Sequence, residues 1–574
     1  AAADGAAAGV DDVAFTLDGS EAREWRLSLP CGLTWVSRCE IASWWHDRKK
    51  RTLNVALYAA GLLVLVCCII LLVAMPERLP KLSVLGVYAS ILTAVANGAN
   101  DIANSVGTSV GAKALTLKQA IVLGLTAEAL GAMTLGSLVA KTISKGVIAP
   151  ETFEAQGCEG VLKFGVSMVC VLCGTGLTTL LATLYGLPIS ASHGVIGGLI
   201  AVGLVSQGPG SLGVAAIART LIAWVASPMI GAVSAAVVYW IILYVVHRST
   251  APSSRARMLQ PMFIAITVAV AAGFIVIKGP SALRVKPVGV GVVASIAIGA
   301  GVGLITLVLR LLRGTPIAKQ TILKMDSSFS KRFRPTSSSD NKGGESSTSA
   351  MEMTSDEEDP HIVGVAPSSA ASPAANIEAA VKLEGAEKPF VPLLILSALT
   401  VAFAHGANDV GNAVGPLAAV FEATLNGSIA GTPQMPIWVL AIGSAGFVVG
   451  IAALGSRTIA TVGGKITTLT PSKSFSVQIG AAVAVLSSTV LGLAVSTSHC
   501  LVGSVVGVGI ASKISKAGGS LNGRMLLKIF IGWGVTIPLA MLVAIFFYAV
   551  IMPSYGYDEE QLRVLNETVN ATCF

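Results

Sequence analysis

Ala96-Asn97-Gly98-Ala99-Asn100-Asp101-Ile102-Ala103-Asn104-Ser105-Val106-Gly107 recurs 308 residues later as Ala404-His405-Gly406-Ala407-Asn408-Asp409-Val410-Gly411-Asn412-Ala413-Val414-Gly415, with eight of the twelve positions identical. Each copy follows an apolar run and places an aspartate where lipid-spanning chain is expected. A carboxylate at that depth costs roughly 2.5–3.5 kcal/mol on insertion scales. Two of them in matched places imply a duplicated chain and a shared task for the two carboxylates.

Composition sets the class. Hydrophobic residues make up 53% of the chain, charged residues 12%, and the mean hydropathy is +0.76, values far from those of a soluble domain. Apolar runs able to cross a hydrocarbon core of about 30 Å fall at 53–75, 84–107, 118–140, 161–185, 190–206, 213–246, 261–278, 287–311, 391–414, 437–456, 477–497, 499–514 and 526–551. The expected fold is an all-α integral membrane protein with about 12 core spans plus one extra N-terminal helix. Pro228 inside the 213–246 run predicts a broken helix or two half-spans there.

Basic residues flanking a span stay on the cytoplasmic side. Arg48-Lys49-Lys50-Arg51 places the N-terminus inside, and Arg310, Arg313, Lys319, Lys324, Lys331, Arg332 and Arg334 keep the stretch after residue 309 inside as well. The span carrying Asp101 then enters from outside, whereas the span carrying Asp409 leaves from the cytoplasmic loop. The halves are inverted repeats, the arrangement of secondary transporters with broken helices or re-entrant hairpins around a mid-membrane site. Five further crossings put the C-terminus outside, where Asn566-Glu567-Thr568 and Asn570-Ala571-Thr572 read as glycosylation sequons.

More of the duplication follows from the same offset. Gly186-Leu187-Pro188-Ile189-Ser190-Ala191-Ser192-His193 aligns with Gly492-Leu493-Ala494-Val495-Ser496-Thr497-Ser498-His499, and Trp224 and Pro228 recur as Trp533 and Pro538. Asn100 and Asn104, like Asn408 and Asn412, are four residues apart and share a helix face. Hydroxyls and free N–H groups at the start of a half-helix make an anion site without fixed positive charge. No arginine stands in any of these segments, so an anion would be held more softly than by a guanidinium fork. The aspartates would repel that anion unless Na⁺ or a proton neutralised them.

GANDIANSVGT with the following LTLKQA, HGANDVGNAVGP, PISASHGVIGG and VSTSHCLVGSVVGVG resemble the signature segments of the inorganic phosphate transporter (PiT) family, over about 84–245 and 391–551. The resemblance implies symport of inorganic phosphate with a cation, Na⁺ before H⁺, by alternating access. It leaves a proton-coupled phosphate or sulfate permease and a non-transporting phosphate sensor as the alternatives. Carried onto matching positions, it implies a phosphate shell of Asp101, Asn104, Ser190, Ser192, Asn412, Ser496, Thr497 and Ser498, with Asn100, Asp101, Asn408 and Asp409 on the cation side. Glu128 fits a family glutamate tied to coupling, or a carboxyl that pairs with a polar neighbour and holds helices together. Ala191 removes a hydroxyl from the first tip, and Gln478 stands where many sodium-coupled relatives have glutamate.

The division expected is a cytoplasmic segment 1–52, an added helix 53–75, a first repeat 84–245, connecting helices 246–311, a disordered cytoplasmic loop 312–388, an inverted repeat 391–551 and an extracytoplasmic tail 552–574. The protein is expected in the plasma membrane, with phosphate, Na⁺ (or H⁺) and the bilayer as partners and no cofactor beyond the co-transported Na⁺; a homodimer is left open. It is not expected to be an enzyme or to bind nucleic acid: no catalytic constellation, zinc spacing or P-loop is present, and the net charge of +8 belongs to basic loops. Gly289-Val290-Gly291 lies in an apolar run and is no dinucleotide fingerprint. His193, His405 and His499 read as packing and hydrogen-bonding residues. Cys158 and Cys573 are both expected outside and able to pair, and Thr354 and Ser355 before Asp356-Glu357-Glu358-Asp359 suit an acidophilic kinase.

Overall fold

A computed structural model describes residues 81–555, apart from 138–139, 141–145, 280–282, 314–382, 428, 430–434, 465, 492–494 and 518–520. The 1–52 segment, the 53–75 helix, the kinase and glycosylation motifs and the Cys158–Cys573 pairing therefore lie outside the described residues.

Helices α1 (Lys81–Gly111), α2 (Leu117–Leu135), the short α3 (Pro150–Glu154), α4 (Gly157–Leu184), α5 (Ala191–Gln207) and α6 (Val214–Ile242) carry the first set of motifs. After α7 (Pro252–Lys278) and α8 (Val288–Arg313), the second set lies on α9 (Phe390–Asp409), α10 (Gly411–Asn426), α11 (Ile437–Gly464), α12 (Pro471–Val490), α13 (Thr497–Ile514) and α14 (Gly523–Ile551). Among the described residues the β-structure is two isolated antiparallel bridges, Ile148 with Leu212 and Thr467 with Leu521, one beside each α5 or α13.

Nine helices among the described residues are long and apolar enough to cross a membrane, α9 and α10 together forming one of them. The sequence counted more because it gave α2, α5 and α12 the rank of spans. α5 has only 17 residues, while Lys118, Gln119 and Glu128 in α2 and Lys473, Gln478 and several serines in α12 dilute their apolar character. The protein is nonetheless inside-out relative to a soluble one. Leu527, Phe530, Ile531, Val535, Leu542 and Phe546 of α14 are exposed, whereas Asn97, Asn100, Asp101, Asn104, Glu128, Asp409 and Asn412 are buried. Such an apolar exterior is what lipid requires. The most apolar window of α4 is 83% buried and that of α8 17%, so α4 is a core element and α8 a peripheral one.

Pro228 does not divide α6, which runs through it and ends in a π-turn, Leu243–His247. The break falls instead in the second motif. α1 carries Ala96 to Gly107 without interruption, but the chain turns at Val410, one residue after Asp409. Gly411 stands where the first copy has Ala103, and Pro416 where it has Thr108. Both weaken a helix, and Pro416 leaves the Asn412 carbonyl without its usual donor.

The two halves interlock by reciprocal contacts. α1 packs on α11 as α9 packs on α2, and α6 packs on α13 as α14 packs on α5. Glycines set the closeness of the first pair. A Cβ on Gly98 would lie 2.5 Å from Phe447 O and one on Gly450 2.0 Å from Val95 O. In the other half, a Cβ on Gly406 would meet Glu128 O and one on Gly131 would meet Phe403 O, each at 2.0 Å. These are the small-residue crossings that bring membrane helices together. Gly450→Ala is expected to lower the thermal midpoint of the detergent-solubilised protein by several degrees, since overpacking costs about 1–3 kcal/mol. Gly534→Ala, with open space around its Cβ, is expected to leave the midpoint in place, and equal shifts would show that the crossing is loose.

Candidate functional site

The tip between α4 and α5 is built from its own sequence. α4 ends in a Schellman motif, with Gly186 at φ +65°, its N–H donating to Thr183 O and the Leu187 N–H to Ala182 O, both at 2.9 Å. α5 then starts at the N-cap Ser190, whose Oγ accepts the His193 N–H at 3.3 Å. The second tip repeats this cap, with the His499 N–H donating to Ser496 Oγ at 3.4 Å. The Ser190 and Ser496 oxygens, both expected in the phosphate shell, accept these cap N–H groups, which leaves each hydroxyl its own hydrogen to donate.

Asparagines clamp the tips to the motif helices. Asn100 Nδ2 donates to Thr183 Oγ1 at 2.9 Å and Leu187 O at 3.0 Å, and its Oδ1 accepts from the Ile189 N–H at 3.0 Å. Asn408 Nδ2 likewise reaches Val495 O at 3.4 Å and also Asp409 Oδ1 at 2.9 Å. The tips also hold each other: Ser192 Oγ donates to Val495 O at 3.3 Å, and Ser498 Oγ to Ile189 O at 3.1 Å.

Between motif helices and tips, the repeat-related carboxylates converge. Ligand-capable atoms of Asp101, His405 and Asp409 all lie within 4.8 Å of one another, and all three residues are buried. Asn104 Nδ2 lies 3.1 Å from Asp101 Oδ1 and 2.8 Å from Ser498 Oγ. Ser498 Oγ is also 3.4 Å from Asp101 Oδ1, and Thr497 Oγ1 donates to Asp409 Oδ2 at 2.7 Å. Asp101, Asn104, Thr497, Ser498 and Asp409 thus meet in one place, drawn from both halves. Asn412 is buried nearby in sequence, with its Nδ2 unpartnered among the described residues.

His405 sits at the centre of these acids. Its Nε2 lies 2.7 Å from Asp409 Oδ2 and 3.8 Å from Asp101 Oδ2, and its Nδ1 lies 3.2 Å from Glu128 Oε1. At 2.7 Å the Nε2–Asp409 approach is the length of a charge-assisted hydrogen bond, and the longer contacts to Asp101 and Glu128 act through charge when the imidazole is protonated. Glu128 Oε1 also accepts from Ser105 Oγ at 2.9 Å, which joins Glu128 to the aspartate site through the imidazole. The sequence reading took His405, one of the four non-identical motif positions, as a packing and hydrogen-bonding residue. The first copy has Asn97 there.

Asn97 is the second residue that sequence reasoning missed. It is fully buried, and neither amide atom has a partner among the described residues; nor do the hydroxyls of Thr175, Thr178 and Thr179 on α4. Thr93 Oγ1 donates to Leu172 O and Asn100 Nδ2 to Thr183 Oγ1, a register that places Asn97 along the α4 stretch between these two contacts. Applying the tip offset, the second half has Ala481, Ala484 and Val485 at the threonine positions. The unpaired threonine hydroxyls are thus a feature of the first half, while in the second half Gln478 Oε1 is the buried oxygen without a partner among the described residues. Gln478 uses its amide as a donor, Nε2 lying 2.6 Å from both Ser105 O and Thr108 Oγ1.

Residues 97–544, which include both motifs and both tips, match the phosphate transporter family. The chain belongs to that family. A candidate phosphate permease of Pyrococcus furiosus is 32% identical over 456 residues, covering 79% of this chain and 93% of its own length. The chloroplastic inorganic phosphate transporter 2-1 of Arabidopsis thaliana is 32% identical over 452 residues, 78% of this chain and 69% of its own. A solved structure described as the sodium-dependent phosphate transporter superposes with a TM-score of 0.64 at 27% identity, covering 82% of this chain and 99% of that one. The chain is a multi-pass membrane protein of a family that moves phosphate.

The hydroxyl contact to Asp409 gives a direct check. Thr497→Val is expected to raise the phosphate concentration for half-maximal uptake about tenfold, ~1.4 kcal/mol, with Thr497→Ser within about threefold of the parent. Equal uptake by the valine variant would remove this hydroxyl from the site.

Proposed function

We propose that the chain is a secondary transporter that carries inorganic phosphate together with Na⁺. The observation that supports this most is the meeting of Asp101 and Asp409 with the Thr497 and Ser498 hydroxyls in one buried place. A phosphate oxyanion would occupy the amide and hydroxyl donors of Asn104, Asn412, Ser192, Thr497 and Ser498. Two carboxylates beside it are repulsive unless cations enter with it. The name of the sodium-dependent structural relative favours Na⁺ as that cation.

The cation side takes in Asp101, Asp409 and Asn408, with Asn100 holding the tip that covers them. The unpaired oxygens of Asn97 and Thr179 offer further neutral ligands of the kind Na⁺ accepts. Glu128 and His405 extend the charge network to α2, which suits a coupling role. The N-terminus and the 312–388 loop face the cytoplasm and the tail after 551 faces outside, following the distribution of basic residues; the plasma membrane is the location proposed.

A carboxylate next to the anion prefers protonated phosphate, which donates a hydrogen bond, over sulfate, which cannot at neutral pH. Asp101→Asn is expected to relax that preference, read as sulfate inhibition of phosphate uptake; an unchanged inhibition profile would take Asp101 out of contact with the anion. In proteoliposomes at fixed pH, uptake of radiolabelled phosphate is expected with an inward Na⁺ gradient and not with K⁺. Uptake driven by an H⁺ gradient without Na⁺ would move the protein to the proton-coupled reading, and saturable binding without uptake to a sensor.

A further inference from the structure

Four aromatic side chains lie beneath the two hairpin tips in a crossed arrangement that the phosphate reading does not use. The His193 ring packs tilted against Trp224, with centroids 3.9 Å apart and planes at 43°, and the His499 ring against Trp533 at 3.8 Å and 35°. The two imidazoles touch edge to face at 4.6 Å. Each histidine then reaches past its aromatic partner to the opposite tryptophan: His193 Nδ1 lies 3.2 Å from Trp533 O, and His499 Nδ1 3.2 Å from Trp224 O. The Trp224 carbonyl is available because Pro228, four residues on, has no N–H to give it. The Trp533 carbonyl lies five residues before Pro538.

The chemistry of these contacts fixes the rings. A carbonyl oxygen only accepts, so each Nδ1 must be the protonated nitrogen. Each Nε2 is then a bare acceptor, and neither has a partner among the described residues. A buried acceptor left unpaired is a cost that phenylalanine, of nearly the same shape, would avoid. Packing alone therefore does not account for histidine at both places. What histidine adds is the donor at Nδ1, and that donor ties α5 to α14 and α13 to α6.

Each histidine is also the residue whose backbone N–H bonds the cap serine of its own tip. The latch thus acts one residue from Ser192 and Ser498, whose hydroxyls cross to the other tip. We propose that His193 and His499 are positioning residues which, held as Nδ1–H tautomers, cross-latch the two tips so that the hydroxyls of Ser192, Thr497 and Ser498 stay converged on the anion. Losing either latch loosens both tips, because the imidazoles abut and the tips share the serine crossover.

The test compares His193→Phe, His193→Asn and His499→Phe for phosphate uptake and thermal midpoint. The phenylalanine variants are expected to raise the phosphate KM about tenfold with the maximal rate near that of the parent, and to lower the midpoint by a few degrees because a buried tryptophan carbonyl loses its donor. Asparagine, whose Nδ2 can donate from near the Nδ1 position, is expected to recover KM to within about threefold. His193→Phe with His499→Phe is expected to cost no more than about one of them alone, because the latches act as a unit. An unchanged KM in folded His193→Phe, or an asparagine variant as impaired as phenylalanine, overturns the proposal.

A measurement on the unaltered protein covers the case in which the variants do not fold. In protein labelled with ¹⁵N-histidine, His193 and His499 are expected to show the shifts of the Nδ1–H tautomer, and Nε2–H shifts at either would overturn the latch. The KM comparison rests on the reading that these tips touch phosphate, whereas the tautomer does not. Correct tautomers with an unaffected KM would therefore fault the positioning role, and wrong tautomers would fault the latch itself.

Discussion

Two buried carboxylates of like charge, one from each half of the chain, are the constraint around which this protein is organised. Asp101 and Asp409 share a pocket with His405 inside 4.8 Å, where water is scarce and like charges repel strongly. Every group drawn toward them offsets that repulsion in part: the Asn104 and Asn408 amides, the Thr497 and Ser498 hydroxyls, and the imidazole. Only the imidazole, when protonated, adds a positive charge, and one such charge does not match three carboxyl groups. A cation travelling with the anion would complete the balance, which is the physical argument behind the coupled transport proposed above.

Duplication supplies the geometry and asymmetry supplies the direction. The reciprocal glycine crossings, the crossed tip serines and the crossed histidines all obey a pseudo-two-fold relation. The departures from it cluster at the site. One half has the unpaired Asn97 amide and, on α4, unpaired threonine hydroxyls, and the other has His405 among carboxyl groups with alanine and valine at the threonine positions. The motif helix is continuous in the first half and turns at Val410 in the second.

Much of this was legible in the residues. The identical motif positions located both aspartates, and the matched tip segments located the hydroxyls that meet them. A 17-residue helix such as α5 is short for a full span, and its packing shows that it completes a hairpin. Residues that differ between the copies were undervalued. His405 and Asn97 carry the charge asymmetry because they are not alike, and their partners come from helices distant in sequence. Asn100, equally marked by the motif, turned out to clamp the Thr183–Ile189 tip, since a shared helix face does not say which neighbour an amide will meet. His193 and His499 gave no signal for their tryptophan carbonyls, which lie 340 and 275 residues away.

The most direct measurement is equilibrium binding of radiolabelled phosphate to the purified protein as Na⁺ is varied at constant ionic strength. If the carboxylates must be neutralised for the anion to bind, the phosphate Kd falls as Na⁺ rises, and phosphate tightens Na⁺ binding by the same factor. A phosphate Kd indifferent to Na⁺ and to pH would contradict the account, because it would mean that Asp101 and Asp409 need no travelling cation at all.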